Sequence, residues 1–219
     1  MLTKYYENSR SEVLRKLVKL RKGRVLEVGC GKGILLSSLA SAWPEYDHVG
    51  VDVFNAGVEK PGYKFVNCDI NELSSRELGK FDLIIMLDVI EHIDDYAKTL
   101  RKLKEFGSKD AIYVFSIPNI RFVVALYYLL WKRDFPELDS GIFDRTHLRF
   151  FTKKKIVRIL NNASLSIEEI KGINSIVDVQ KTILYKMIAL SLIPFLAFLG
   201  LDCIYQQFYV LATNKLNNA

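Results

Sequence analysis

The chain has 219 residues, 50% of them apolar and 26% charged. That balance fits a globular core and excludes a disordered tail, a collagen-like fibre or a low-complexity linker. The net charge of +6 and pI of about 9.1 suit an anionic partner, either nucleic acid or a membrane surface, without choosing between them. Cys30, Cys68 and Cys203 are too few and too scattered for a disulfide framework or a Cys-x-x-Cys zinc site, and no metal ligands are assigned. MLTKYYENSR lacks the apolar run of a secretory signal. The expectation is a cytoplasmic protein in a reducing compartment.

Residues 11–22, SEVLRKLVKLRK, carry Val13, Leu14, Leu17, Val18 and Leu20 near helical spacing, and the N-terminal helix within 1–23 ends at Gly23. Short apolar runs then alternate with helical stretches. RVLEV (24–28), HVGVD (48–52), KFVNCD (64–69), FDLIIMLD (81–88) and AIYVFSIP (111–118) read as strands. GILLSSLASAW (33–43) and DDYAKTLRKLKEF (94–106) read as helices. Strands apolar on both faces, separated by helices, predict a single doubly wound α/β domain around a mostly parallel sheet. The second half predicts an apolar helix with a basic end (120–133) and an ordered loop (133–151). It continues with a helix (152–163) capped by Thr152, with Ile156, Val157, Ile159 and Leu160 on one face. SLSIEEI (164–170) and QQFYVLAT (206–213) read as strands on either side of an apolar insertion, 172–205.

The sharpest signal is VLEVGCGKG (25–33). A strand runs straight into Gly29, Gly31 and Gly33, and a helix follows. Glycine allows the tight turn and a close ligand approach, and the open helix amides favour polar or anionic ligand groups. Spacing discriminates among nucleotide-like ligands. Ile34 stands where a dinucleotide fingerprint needs its third glycine, and Lys32 is followed by Gly33 rather than by the Ser or Thr of a P-loop. Glu27, two residues before the first glycine, would repel a pyrophosphate and attract a cationic amino-acid ligand.

ExGxGxG after the first strand resembles motif I of the class I S-adenosylmethionine (SAM)-dependent methyltransferases. The resemblance extends to Asp52 after the second strand, Asp69 after the third, and FDLIIMLDVIEHIDD (81–95) at the fourth. It implies a seven-stranded Rossmann-like sheet whose antiparallel last strand lies between the fifth and sixth. It also implies that Gly29, Gly31 and Gly33 pass the methionine part of SAM while Glu27 anchors it. Asp52 would take the ribose hydroxyls, Asp69 the adenine amino group with Ile70 beside the ring, and Asp88 would lie near the methionine moiety. Asp52 could also be a helix cap, Asp69 a turn residue, and Cys30 is expected to be a buried filler.

Methyl transfer from a sulfonium needs alignment and exclusion of water, and a hydroxyl acceptor adds the need for a base or a metal. His92, just after the fourth strand, and His147 are the catalytic candidates; His48 opens a strand and is expected at the surface. GIFDRTHLRFFT (141–152) resembles a segment of the subset of these methyltransferases associated with glycan and polysaccharide biosynthesis, after an apolar helix as here. That resemblance implies a hydroxyl of a glycan or lipid-linked saccharide as acceptor, with 120–151 on the acceptor side. Asp144, Arg145, His147 and Arg149 become acceptor-side candidates. The structural alternative is an Asp144–Arg149 ion pair, with His147 bonded to a backbone carbonyl. The basic charge leaves RNA or protein as rival acceptors, although LDVI stands where an NPPY-type tetrapeptide would be. A SAM-binding protein without catalysis at a membrane assembly is a further alternative. MIALSLIPFLAFLGL (187–201) is charge-free but shorter than the roughly 20 residues of a membrane span. It reads either as a packed cap helix or as a peripheral contact with the inner face of the membrane.

Overall fold

The computed structural model describes residues 13–20, 23–55, 62–178, 191, 193–194, 198 and 200–215. Its frame is a seven-stranded sheet of β1 (Val25–Val28), β2 (His48–Asp52), β3 (Lys64–Asn67), β4 (Phe81–Leu87), β5 (Gly107–Pro118), β6 (Leu165–Ser175) and β7 (Tyr205–Asn214). The spatial order is β3-β2-β1-β4-β5-β7-β6. Strands β1 to β5 pair in parallel, and β7 runs antiparallel to both β5 and β6. This is the Rossmann-like methyltransferase topology that the sequence resemblance implies.

The central strands are apolar on both faces because helices cover both. Every residue of β1 and β2 is buried, and β4 is buried at all positions but Asp82. On one face Leu26, Ile84 and Phe115 pack with Leu100 and Leu103 of α4 (Tyr96–Phe106) and with Ile156 and Leu160 of α6 (Lys153–Asn162). On the other, Val25, Leu83 and Ile85 pack with Leu36 and Leu39 of α2 (Ile34–Ala42) and with Val13 and Leu17 of the helix at 13–20, called α1. Side chains begin two of these helices, one of them at Thr152 as the sequence predicts. Asp95 accepts the Lys98 amide at 2.9 Å, and Thr152 accepts the Lys155 amide at 3.2 Å.

Several boundaries differ from the sequence reading. A short helix α3 (Ser75–Leu78) forms on a capping box between Ser74 and Glu77 that the periodicity does not reveal. Strand β5 begins at Gly107, four residues early, because Gly107 pairs with Phe81 and Ser108 Oγ donates to Asp82 at 2.8 Å. Pairing there overrides the polar sequence GSKD. Strand β6 runs on to Ser175, into the segment read as insertion, because Ile173 and Ser175 pair with Gln207 and Tyr205. The helix expected over 120–133 is α5 (Val123–Leu126), which widens into π-type turns over Tyr127–Lys132 and stops at Arg133 in the left-handed region. Val18 faces solvent and Val157 is only half-buried, whereas the other residues assigned to their stripes are buried or partly so.

His48 corrects an expectation. It is 3% exposed, at the start of β2 beside Val25, and burial lowers its pKa. Cys30 is fully buried, as expected. Most of 187–201, including all of 187–190, lies outside the described residues. Among the described residues no helix is long and apolar enough to cross a membrane.

Candidate active site

The glycine turn leaves β1 at the carboxyl end of the sheet. Gly29, Gly31 and Gly33 all have positive φ, at 73°, 52° and 63°. The three are not equivalent. A Cβ on Gly29 would stand 2.2 Å from Val89 Cγ2, and one on Gly33 2.0 Å from the Tyr63 hydroxyl. A Cβ on Gly31 would meet nothing within 4 Å among the described residues. Gly29 and Gly33 are therefore set by packing, and Gly31 faces open space that a ligand can enter. Gly33 precedes α2 with no side-chain cap, so first-turn amides of α2 have no side-chain acceptor there.

Asp52 closes this turn. Its Oδ2 accepts the Gly31 amide at 2.6 Å and its Oδ1 the Phe54 amide at 2.8 Å. A carboxylate has about four acceptor sites, so two remain for the vicinal hydroxyls of a ribose. Glu27 is 1% exposed, beneath the turn. Asp69 is exposed, and its Oδ1 accepts from the Asn71 amide at 2.8 Å, an Asx turn after β3. The Ile70 side chain is 4% exposed and packs into the core beneath that turn.

Asp88 ends β4 with φ 55°, an uncommon conformation for a residue other than glycine. It is held there by two buried neighbours. Ser116 Oγ donates to Asp88 Oδ1 at 2.8 Å, and Gln207 Nε2 donates to the same oxygen at 2.7 Å. Gln207 Oε1 in turn accepts from Asn174 at 3.0 Å. Ser116, Gln207 and Asn174 were not among the residues expected at the site. They come from β5, β7 and β6: the parallel β4–β5 register sets Ser116 beside Asp88, and the antiparallel registers of β7 bring Gln207, and Asn174 behind it.

Beyond Asp88 the chain makes one tight turn, Ile90–His92, which sets Glu91 and His92 against the loop carrying His147. The loop is pinned there by the Leu148 and Arg149 amides, which donate to the Glu91 carbonyl at 2.8 and 3.1 Å. The rings of His92 and His147 meet edge to face, with centroids 4.8 Å apart. Each ring bonds a backbone carbonyl through Nδ1: His92 to Thr146 and His147 to Ile142, both at 3.0 Å. A carbonyl only accepts, so each ring donates its Nδ1–H, and the neutral tautomer that fits this bond has its lone pair on Nε2. His147 thus has the backbone bond of the structural alternative, and that bond leaves Nε2 available for chemistry. Glu91 is 1% exposed, with His147 Nε2 at 3.9 Å from its Oε1. Burial, together with the neighbouring Asp88 charge, raises its pKa well above its ordinary value. Burial also lowers the pKa of His147, helped by the charge of His92. Asp88, Glu91, His92, Gly141, Asp144 and His147 line one pocket.

The ion pair expected between Asp144 and Arg149 does not form. Arg149 pairs with Asp94, and Arg145 pairs with Asp139. Asp144 instead accepts from the Thr146 amide at 2.8 Å and hydroxyl at 2.6 Å. Partial burial opposes its charge, but those two bonds and the charges of His147 and His92 together outweigh it and lower its pKa. The loop is shaped locally by the Asx turn, and the arginines tie its surface to neighbouring acids. The apolar helix packs on the same loop through Tyr128, which meets Phe143 edge to face, and within the loop Phe135 meets Phe143 and Phe150 edge to face.

Comparison with known proteins agrees with this geometry. Residues 3–170 match a family described as a methyltransferase domain. A ubiquinone biosynthesis O-methyltransferase of Aromatoleum aromaticum is 25% identical over 159 residues, covering 69% of this chain and 67% of that protein. Its namesake from Azorhizobium caulinodans is 30% identical over 178 residues, covering 72% of this chain and 64% of that one. The chain thus spans about two thirds of the length of these curated relatives. Magnesium protoporphyrin IX methyltransferase of Synechocystis PCC 6803, solved with bound SAH, has the same fold at a TM-score of 0.63 and 17% identity, covering 95% of this chain and 83% of that one. The open face at Gly31 and the spare acceptor sites of Asp52 suit the SAM that such enzymes use. The chain belongs to the methyltransferase-domain family, and it is a SAM-dependent methyltransferase.

Proposed function

We propose that this protein methylates a hydroxyl oxygen of a lipid-bearing acceptor. The carrying observation is the cluster of Glu91, His92 and His147 at the carboxyl ends of the strands, one turn beyond Asp88. A neutral amine acceptor needs little beyond alignment, whereas a hydroxyl must lose its proton as it attacks, and lone pairs held toward the pocket serve that loss. When bound, SAM supplies a methyl group on sulfonium sulfur, whose carbon–sulfur bond breaks, its electron pair returning to sulfur, as the new oxygen–carbon bond forms.

In this reading Gly31 gives the methionine part its approach and Gly29 and Gly33 hold the turn. Glu27 attracts the ligand's ammonium group, and Asp52 accepts from the ribose hydroxyls. Asp69 and Ile70 border the adenine, with Asp88 at the methionine end. The Glu91, His92 and His147 cluster orients the acceptor hydroxyl and lowers the cost of its deprotonation. Val124, Tyr127, Leu130 and Trp131 of the apolar helix are exposed and offer a seat for an acyl or polyprenyl chain.

The likeness of residues 141–152 to the glycan-associated subset supports a lipid-linked saccharide as acceptor. A second reading, an aromatic hydroxyl on a polyprenyl chain, is favoured by the names of the relatives in ubiquinone biosynthesis. One experiment tests both. Purified protein is given SAM labelled in its methyl group, with either an extracted glycolipid pool or a polyprenyl catechol. Label in a lipid that loses it on acid hydrolysis of the sugar supports the first reading. Label in the catechol alone supports the second. Label in neither, from protein that binds SAM, overturns the lipid-hydroxyl assignment.

A further inference from the structure

We propose that Glu91, His92 and His147 form a binding site for one divalent transition-metal cation. One ligand atom from each of the three lies within 4.8 Å of the others. Ligands around an ion with bonds of about 2.0–2.2 Å stand up to about 4.4 Å apart, so shifts of side-chain size close the shell.

Three independent features point to a cation rather than to a chance meeting of polar groups. The first is Glu91. It is 1% exposed, and neither carboxylate oxygen has a hydrogen-bond partner among the described residues. Buried carboxylates are paired, protonated or bound to a cation. Among the described residues the ion-pair partner nearest to it is His147, whose Nε2 stands 3.9 Å from Oε1. The second is the pair of imidazoles. Both donate Nδ1–H to a backbone carbonyl at 3.0 Å, the outer bond that orients metal-ligating histidines and frees Nε2 as the ligand atom. The third is the sign of the surroundings. Asp88 and Asp144 line the same pocket, so acids and lone pairs converge there, with no lysine or arginine lining it among the described residues. A bound cation resolves all three at once.

The donor set selects the ion. Two imidazoles and one carboxylate suit Mn2+, Co2+, Fe2+ or Zn2+ better than Mg2+ or Ca2+, which prefer oxygen throughout. Three protein ligands leave positions open toward the pocket. The role of the ion rests on the hydroxyl-acceptor reading above, although its binding does not. A hydroxyl oxygen in an open position is more acidic than when free. Its proton passes to pocket water, and the oxygen is left facing the methyl group it attacks.

The test uses the full chain, stripped with EDTA and dialysed. Mn2+ binding is followed by loss of the free-ion paramagnetic resonance signal, Zn2+ and Mg2+ binding by calorimetry, and SAM affinity by calorimetry in EDTA. The expected result is one Mn2+ or Zn2+ per chain, with Mg2+ at least about tenfold weaker. Glu91→Gln and His147→Gln should each weaken Mn2+ more than about tenfold while SAM affinity in EDTA stays within twofold. Co2+ added to the wild type should shift the Nδ1–H proton resonances of two of the three histidines, which needs no variant. Wild-type protein that binds SAM but takes up none of these ions saturably overturns the metal site and leaves the methyltransferase reading standing. Metal affinity unchanged in both variants, or Co2+ shifts on fewer than two histidines, also overturns it. Saturable metal binding by a protein that does not bind SAM would instead count against the reading of the cofactor site.

Discussion

The Gly31 amide donates to Asp52 at 2.6 Å across the mouth of the sheet. The acid expected to hold a ribose therefore also holds the glycine turn, and removing it changes two things at once. Asp52→Asn keeps an acceptor for the Gly31 amide and lacks the charge. It should weaken SAM by about 1.5–3 kcal/mol, roughly 10- to 150-fold in Kd, with little loss of stability. Asp52→Ala should lose the same affinity and also lower the melting temperature. Calorimetry and thermal melting on both variants separate the two roles, and unchanged SAM affinity in Asp52→Asn would remove Asp52 from the cofactor site.

The glycines of the turn divide by the same logic. Alanine at φ 52° strains Gly31 by about 1–2 kcal/mol, a fall of roughly 2–8 °C in melting temperature. Its Cβ meets nothing within 4 Å among the described residues, in the space proposed for the ligand. Gly31→Ala should therefore stay folded and lose SAM affinity. Gly29→Ala adds a collision with Val89 at 2.2 Å, so it should melt lower than Gly31→Ala. The reverse order of melting temperatures would contradict this division.

Gln207 tests the polar chain behind Asp88. Gln207→Ala leaves Asp88 with the Ser116 bond and strands the amide of Asn174. The unmet groups should cost about 1–3 kcal/mol of stability. Because Asp88 is held at the end of β4 by this bond, kcat should fall further than SAM affinity does. A variant with wild-type kcat would show that the Gln207 bond does not position Asp88.

Much of this arrangement is local and therefore legible in sequence. Gly29 to Gly33, Asp52 and Asp88 each sit at the end of a strand whose apolar run is obvious, so their position follows from chain order alone. Thr152 announces its helix for the same reason. What escapes is set by pairing across the sheet. Gln207 reaches Asp88 because it lies opposite Pro118 in the β5–β7 register, and nothing near it in sequence carries that information. Tyr63 against Gly33 and Arg149 with Asp94 are likewise contacts between distant segments. His48 looks like a surface residue by composition, and the burial of β2 on both faces overrides that. The two catalytic candidates were visible as residues, but their shared proximity to buried Glu91 depends on how the loop at 141–152 folds back.

His48 gives a pH dependence of known sign. Burial lowers its pKa below the ordinary 6.5, so the folded state disfavours its proton and the unfolded state binds it first. The stability this neutral ring contributes is present above about pH 6.5 and is lost as pH falls through the lowered folded-state value. His48→Leu removes the titration. The melting temperature of the variant should fall less than that of the wild type between pH 7.5 and pH 5. Parallel curves would show that His48 titrates alike in both states.

The apolar helix yields the last expectation, because its outer side is placed for lipid. Leu130 is 73% exposed and Trp131 79%, and the next two residues, Lys132 and Arg133, are exposed cations. Burying a leucine side chain is worth about 1.5–3 kcal/mol, and tryptophan suits the boundary between headgroups and hydrocarbon. Cations beside them favour anionic headgroups, by an attraction that salt screens. The protein should therefore sediment with vesicles containing phosphatidylglycerol, more weakly with phosphatidylcholine alone, and less as salt rises. Leu130→Ser with Trp131→Ser should reduce sedimentation at least about tenfold. Both side chains are already in water, so the melting temperature and SAM affinity should stay near wild type. Phe198, 93% exposed, belongs to the apolar segment 187–201, and Phe198→Ser should reduce sedimentation further if that segment meets the same surface. Equal sedimentation of wild type and the double variant would remove the helix from the membrane contact. A sharp fall in its melting temperature would show instead that Leu130 and Trp131 are packing residues in solution.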